Sequence, residues 1–379
     1  MRRWDIFCQV VDNYGDIGVC WRLARQLAAE FGLTVRLWVD EPEALRKMLP
    51  ALDPSLETQC HAGVEVRRWT ADFPDAEAAD AVIEAFGCKL PASYLAAMAA
   101  RTVKPAWINL EYLSAEEWVG GCHGLPSPHP QLPLVKHFFF PGFTARSGGL
   151  LLESGLLERR DAFRRSPREK AVFWAELGCA PPPPDTVAVS LFCYANSALP
   201  GLLDAWAESA SPVFCLVPEG KPAAAVAEAF GKERLAPGER IGKGSLALQI
   251  LPFRAQDDYD RLLWACDCNF VRGEDSFVRA QWAARPFVWQ IYPQEEKAHE
   301  KKLAAFLDLY CAGLPAAAAA AMRGMWWGWN REGVTGSNWT DYWKQRAVLE
   351  RHARDWADKQ KENGGLASNL VDFCKAMIK

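Results

Sequence analysis

The chain has 379 residues, half of them apolar and 24% charged, with a formal net charge of −4. No run of eighteen apolar residues occurs, which argues against a membrane span, and the acidic balance argues against a general nucleic-acid binder, which needs a phosphate-neutralising surface. Twelve cysteines are scattered from Cys8 to Cys374 without a Cys-x-x-Cys, so they read as small core hydrophobes of a reducing compartment rather than a disulfide framework.

The first residues, Met1 to Asp5, lead into an apolar strand without a signal-peptide pattern, and a cytoplasmic location is expected. Trp4 to Val11 reads as that strand. Asp12-Asn13-Tyr14-Gly15-Asp16-Ile17-Gly18 follows as a turn, and Cys20, Leu23, Ala24, Leu27 and Phe31 then recur at helical spacing. Leu33–Val39 predicts a second strand and Glu41–Met48 a short helix. Val64–Trp69, Ala81–Phe86 and Ala106–Leu110 predict further strands, with Ala92–Ala100 a helix before the last. Alternation of this length implies a parallel sheet covered by helices. From Ser114 to Phe143 glycines and prolines interrupt the rhythm, which predicts a long loop.

A helix is expected over 161–177, and Pro181 to Pro184 form a stiff spacer. A second alternating unit then begins. Its predicted strands are Thr186–Tyr194, Val213–Val217, Leu246–Pro252, Cys268–Arg272 and Phe287–Ile291. Its predicted helices are Leu199–Glu208, Ala223–Phe230, Asp257–Ala265 and Ser276–Ala284. The rest, from Lys297, reads as helical, with Gly364-Gly365 setting off a last amphipathic helix, Leu366–Ile378, expected to pack back on the first unit. Two α/β units in tandem place the natural site in a cleft between them. Seventeen tryptophans, among them Trp326, Trp327 and Trp329, fit large-ring packing better than sugar stacking.

Three strand ends carry candidate chemistry. Asp12 and Asp16 share the first turn with Gly15 and Gly18, and two readings stand. The carboxylates converge on a cation or accept its proton, or they cap the helix while the glycines serve unusual backbone angles. The turn lacks both Gly-x-Gly-x-x-Gly and Gly-x-x-x-x-Gly-Lys-Ser/Thr, which disfavours a nicotinamide enzyme or a P-loop NTPase. In the second unit, Arg272-Gly273-Glu274-Asp275-Ser276 joins a strand to a helix, and the helix N-terminus, Ser276 and Arg272 suit a pyrophosphate. Glu274 and Asp275 would repel that anion unless their carboxylates turn aside; capping the helix or holding a substrate cation are their alternative uses. Upstream, Phe253 offers a stacking face and Gln256 an amide for a flat base, although a core phenylalanine and a helix-start glutamine are the commoner uses. The six histidines show no ligand pattern, and no metal site is predicted.

Taken with Trp289-Gln290-Ile291-Tyr292-Pro293-Gln294, Asn109-Leu110-Glu111-Tyr112-Leu113 and Gly124-Leu125-Pro126-Ser127-Pro128, these turns resemble the bacterial elongation factor P arginine rhamnosyltransferases, the EarP family, over essentially the whole chain. The resemblance implies a GT-B fold of two facing Rossmann-like domains. Residues 1–150 would form the acceptor-side domain with the catalytic aspartates, 151–364 the dTDP-sugar-binding domain, and 365–379 the returning helix. It implies an inverting transfer of rhamnose from dTDP-β-L-rhamnose to one arginine of elongation factor P, without metal or other cofactor. Asp12, Asp16 and Glu274 would be the essential acids. Phe253 would stack on thymine and Gln256 read its edge, while Tyr194, Arg272, Asp275, Ser276, Gln290, Tyr292 and Gly15 complete the donor site. Glu111 and Tyr112 either line the path of the acceptor arginine or are buried for structural reasons. Two rival readings remain: a sugar-nucleotide transferase with a glycan or small-molecule acceptor, and a non-catalytic nucleotide-dependent binding protein.

Overall fold

A computed structural model describes residues 2–11, 14–294, 297–331, 333–334 and 336–377. The chain divides into unit 1, residues 1–154 with 360–379, and unit 2, residues 155–359.

Unit 1 alternates strand and helix: β1 (Arg3–Cys8), α1 (Gly15–Phe31), β2 (Thr34–Val39), α2 (Pro42–Met48), β3 (Thr58–His61), β4 (Val64–Arg68), β5 (Ala81–Ala85), α3 (Ala92–Ala100), β6 (Ala106–Leu110), α4 (Val119–Cys122), β7 (Pro126–Pro128) and β8 (Val135–Phe139). The sheet order is β3-β4-β2-β1-β5-β6-β8-β7, parallel from β4 to β8 with an antiparallel strand at each edge. The central strands are buried on both faces, as helices on either side of a parallel sheet require.

The segment expected to be one long loop, 114–143, thus holds a short helix and two strands. Its prolines explain both the misreading and the role. Phe138 N–H donates to Leu125 O (3.1 Å) and His129 N–H to Leu134 O (2.9 Å), so odd-numbered residues of β7 face β8. Pro126 and Pro128 hold the outward positions, where they offer no N–H to a foreign strand.

Inside the unit, the fully buried Asp5 carboxylate receives Arg36 Nε and Nη2 (2.6 and 2.5 Å), Trp38 Nε1 (3.3 Å) and the Tyr94 hydroxyl. Satisfying every oxygen in this way is what lets a carboxylate sit under β1. The helix α15 (Leu366–Met377) belongs to this unit: Leu366 N–H donates to Leu150 O (2.8 Å), and Asn369 Nδ2 to Gly148 O (3.1 Å). Gly149 has φ +75°, and a Cβ there would run into the Gly364 carbonyl, so the close approach needs glycine on two counts.

Phe373 of α15 packs on His123, His137 and Phe139. Burial pushes both imidazoles below their usual value, so this seat favours neutral rings. For a base whose folded pKa is depressed, the stabilisation is complete above the unfolded value of about 6.5 and is lost as pH falls through the folded one. Protection factors of the α15 amides, with the intrinsic pH dependence of exchange divided out, are therefore expected to fall below about pH 6.5, and less so in a His123→Phe variant; protection factors unchanged with pH would contradict this.

Unit 2 begins with α5 (Leu156–Arg165) and α6 (Pro167–Glu176) where a single helix was expected. Pro167 cannot continue α5, and Ser166 Oγ instead accepts Glu169 N–H to cap α6. There follow β9 (Val187–Leu191), α7 (Leu199–Ala207), β10 (Val213–Pro218), α8 (Lys221–Ala229), β11 (Arg240–Lys243), β12 (Leu246–Leu251), α9 (Gln256–Ala265), β13 (Cys268–Arg272), α10 (Asp275–Trp282) and β14 (Phe287–Gln290). The sheet order is β11-β12-β10-β9-β13-β14, with only β11 antiparallel. Four helices close the unit: α11 (Ala298–Cys311), α12 (Ala316–Asn330), α13 (Gly336–Lys344) and α14 (Arg346–Glu362, whose last residues fall in unit 1). Tryptophans lock them to the sheet. Trp326 Nε1 donates to Phe287 O (3.0 Å), while Trp206, Trp329 and Trp339 surround Phe270.

Candidate active site

In each unit the strand order reverses direction beside the first strand, and open α/β sheets bind ligands outside the carboxyl ends of the strands at that point. In unit 1 the reversal lies at β1, which has β2 on one side and β5 on the other. The turn after β1 carries the candidate acids. The strand itself stops at Cys8, three residues earlier than expected, because carboxylates replace the strand partners: Val10 N–H donates to Asp40 Oδ1 (3.0 Å) and Val11 N–H to Asp16 Oδ2 (2.9 Å). Asp16 is buried in the first turn of α1, and Gly15 opens that helix. Asp12 lies outside the described residues. Asp40, at the end of β2, is a brace that the sequence reading did not single out; its only signal was its place directly after a strand.

On the opposite flank of β1, Glu84 receives Lys136 Nζ (3.2 Å) and Trp107 Nε1 (3.0 Å). Burial still raises its pKa above the usual carboxylate value. Beside it Asn109 Nδ2 donates to Glu111, and Tyr112 stacks on Phe86 (4.6 Å).

In unit 2 the reversal lies between β9 and β13. The exits of those two strands meet there, and the meeting explains Arg272. Its guanidinium sits over Phe192 (4.4 Å) and Tyr194 (4.3 Å), is 6% exposed, and leaves Nη1 without a hydrogen-bond partner among the described residues. A cation held by two rings with an unmet donor is a prepared anion site. Phe192 is the member that sequence reasoning missed, since nothing in a chain separation of eighty residues announces a ring under a guanidinium.

The turn after β13 supplies the rest. Gly273 has φ +62°, which lets the chain reverse into α10, and its carbonyl accepts Trp289 Nε1 (2.8 Å). Glu274 occupies the N-cap position without a side-chain capping bond, so the capping reading does not describe it. Ser276 Oγ accepts Arg272 N–H (3.1 Å) and donates to Arg272 O, closing the turn on itself. Asp275 accepts Gln256 Nε2 (3.4 Å), which joins the start of α9 to the start of α10. The same two helices are riveted below by Arg279, whose Nε and Nη2 meet Asp260 at 2.9 and 2.7 Å. Removing one partner of so buried a pair costs about 3–5 kcal/mol. Asp260→Ala is thus expected to lower the melting temperature of the chain markedly and to weaken nucleotide binding with it; a melt unchanged from the parent would contradict this.

Gln290 is buried, with Oε1 accepting Tyr194 N–H (2.8 Å) and Nε2 donating to Ala195 O (3.4 Å). Its amide is thereby engaged in shaping the loop after β9. Tyr292 is 44% exposed and meets Tyr194 edge to face at 5.4 Å. Half-buried Phe253 follows β12, its N–H held by Glu219 Oε1 (2.7 Å). Unit 2 therefore gathers Tyr194, Arg272, Asp275, Ser276, Gln290 and Tyr292 around the adjoining exits of β9, β13 and β14, and Gln256 joins them from α9 through Asp275. Asp16 and Gly15 belong to unit 1. Among the described residues no three His, Cys, Asp or Glu side chains cluster as metal ligands, and no helix is long and apolar enough to cross a membrane.

Comparisons with known proteins place these features in context. Residues 4–375 match the model of the family described as Elongation-Factor P (EF-P) rhamnosyltransferase EarP. A protein-arginine rhamnosyltransferase of Pseudomonas aeruginosa is 53% identical over 98% of this chain and 99% of its own. A solved structure of EarP-mediated arginine glycosylation of translation elongation factor EF-P is 38% identical, covers 99% of both chains and superposes with a TM-score of 0.72. An Arabidopsis thaliana glycosyltransferase, UGT89C1, shares the fold at 10% identity, with a TM-score of 0.50 over 100% of this chain and 99% of that one.

Proposed function

This chain belongs to the EarP family of elongation-factor P rhamnosyltransferases, a GT-B glycosyltransferase that rhamnosylates protein arginine, and we propose that it moves rhamnose from dTDP-β-L-rhamnose to one arginine of elongation factor P with inversion. The observation that carries the donor half is Arg272: a guanidinium held over two rings beside a helix N-terminus, with Nη1 unmet, suits a diphosphate. Phe253 and Gln256 follow β12, and Gln256 reaches Asp275 at the start of α10, where a thymine would be stacked and read along its edge.

A guanidinium is a poor nucleophile, since its lone pairs are delocalised and its pKa exceeds about 12. Full deprotonation before attack is implausible. In the proposed step the acceptor nitrogen bonds to C1 as the bond from C1 to the phosphate oxygen breaks. The electron pair leaves with dTDP, and Asp16 takes the nitrogen's proton. Asp12 and Glu274 orient and polarise the guanidinium. Arg272 and the α10 N-terminus stabilise the leaving diphosphate, a charge stabilisation that does not call for a divalent ion. A translation factor as acceptor places the enzyme in the cytoplasm.

Intact mass of elongation factor P after incubation with the chain and dTDP-rhamnose tests this reading. One added deoxyhexose is expected, with the same yield in excess EDTA. A mass unchanged in a stable complex would favour a binding protein, and a yield abolished by EDTA and restored by a divalent cation would overturn the metal-free step.

A further inference from the structure

Ser276 presents a problem of hydrogen-bond accounting. A hydroxyl has one proton and two lone pairs. Ser276 Oγ spends its proton on the Arg272 carbonyl and one lone pair on Arg272 N–H. An anion arriving at the α10 N-terminus therefore finds no Ser276 donor unless that proton turns away from the carbonyl.

Tyr259, on α9, stands beside this hydroxyl. Its own oxygen lies close enough to Ser276 Oγ to interact with it, is shielded from solvent and makes no hydrogen bond of full geometry among the described residues. Burial holds the phenol protonated, so it remains a donor. The ring packs edge-on against Phe192 (5.7 Å), the same ring that lies under the Arg272 guanidinium. Two buried donors, Tyr259 O–H and Arg272 Nη1, are thus left unmet within one contiguous set of side chains, and each such group costs free energy until it finds an acceptor.

We propose that Tyr259 is a positioning residue of the anion site: its hydroxyl donates to the second lone pair of Ser276 Oγ when the Ser276 proton swings from the Arg272 carbonyl to a phosphate oxygen. The inference rests on the reading that this turn holds a dTDP-sugar. The exchange gives up one neutral bond and gains a charge-assisted one together with the bond from Tyr259, which also polarises the serine into a better donor. Tyr259 acts through Ser276, so its effect depends on the serine.

Calorimetric titration of dTDP and of thymidine into the parent chain, Tyr259→Phe, Ser276→Ala and the double variant tests this. Phenylalanine keeps the ring against Phe192, and an unchanged melt would report an intact fold. Tyr259→Phe is expected to weaken dTDP about five- to tenfold, the range of one lost hydrogen bond to a polarised group, and to leave thymidine unchanged. In the Ser276→Ala background the same substitution is expected to change dTDP affinity by less than about twofold, the signature of coupled neighbours. Parent-like dTDP affinity in Tyr259→Phe, an equal loss in both backgrounds, or a matching loss of thymidine would overturn the assignment. A parent chain that binds no dTDP would overturn the donor reading itself, and this inference with it.

Discussion

Replacing Asp16 by Asn is expected to lower turnover about 10²–10⁴-fold, the usual contribution of a positioned general base, while the dissociation constant for dTDP stays within about twofold of the parent value. The substitution is informative because of what it preserves. Asp16 Oδ2 accepts the Val11 N–H at 2.9 Å, and an asparagine carbonyl can accept it as well, so the turn after β1 keeps its brace. What asparagine cannot do is take a proton. Rapid-quench measurement of a single turnover, with dTDP titrated separately, isolates the two quantities. Normal turnover would remove Asp16 from the chemistry, and a lost affinity for dTDP would show that the substitution had disturbed more than the proton acceptor.

Arg272→Lys is expected to weaken dTDP about 10- to 100-fold, the range of one lost hydrogen bond to a charged group, with thymidine affinity unchanged. Charge is conserved in this change; geometry is not. The guanidinium is a plane that lies over Phe192 and Tyr194 at 4.4 and 4.3 Å and still keeps Nη1 unmet, whereas an ammonium on a flexible stem has neither the plane nor the fork. The measurement is a pair of titrations, and equal affinities for dTDP in parent and variant would show that Arg272 serves packing alone.

The strand-and-helix rhythm was legible wherever apolar residues recur with a clear period, which is why β1, β2, β4, β5 and β6 and nearly all of unit 2 were expected from the sequence. Legibility failed where side chains or prolines replace the ladder. β1 ends at Cys8 because Asp40 and Asp16 take the backbone N–H groups of Val10 and Val11, a substitution visible only in three dimensions. The strands β7 and β8 hid in a stretch read as loop, because prolines that normally argue against a strand here occupy outward edge positions. At the candidate site, Arg272, Ser276 and Gln256 were marked by their places after strands or at helix starts. Phe192, Tyr259 and Asp40 were not, since each acts through a partner that the chain delivers from another element. The local turn also gave no hint that Gln290 is engaged with the backbone of residues 194 and 195.

The central claim is a single displacement at C1 by a protein guanidine, with Asp16 accepting the proton and dTDP leaving from Arg272. The anomeric configuration of the product reports on it most directly. Elongation factor P incubated with the chain and dTDP-β-L-rhamnose labelled with carbon-13 at C1 is predicted to carry one rhamnose on one arginine, with the one-bond carbon–proton coupling of an α-linked sugar. A β-linked sugar, or an acceptor that carries none, would contradict the account.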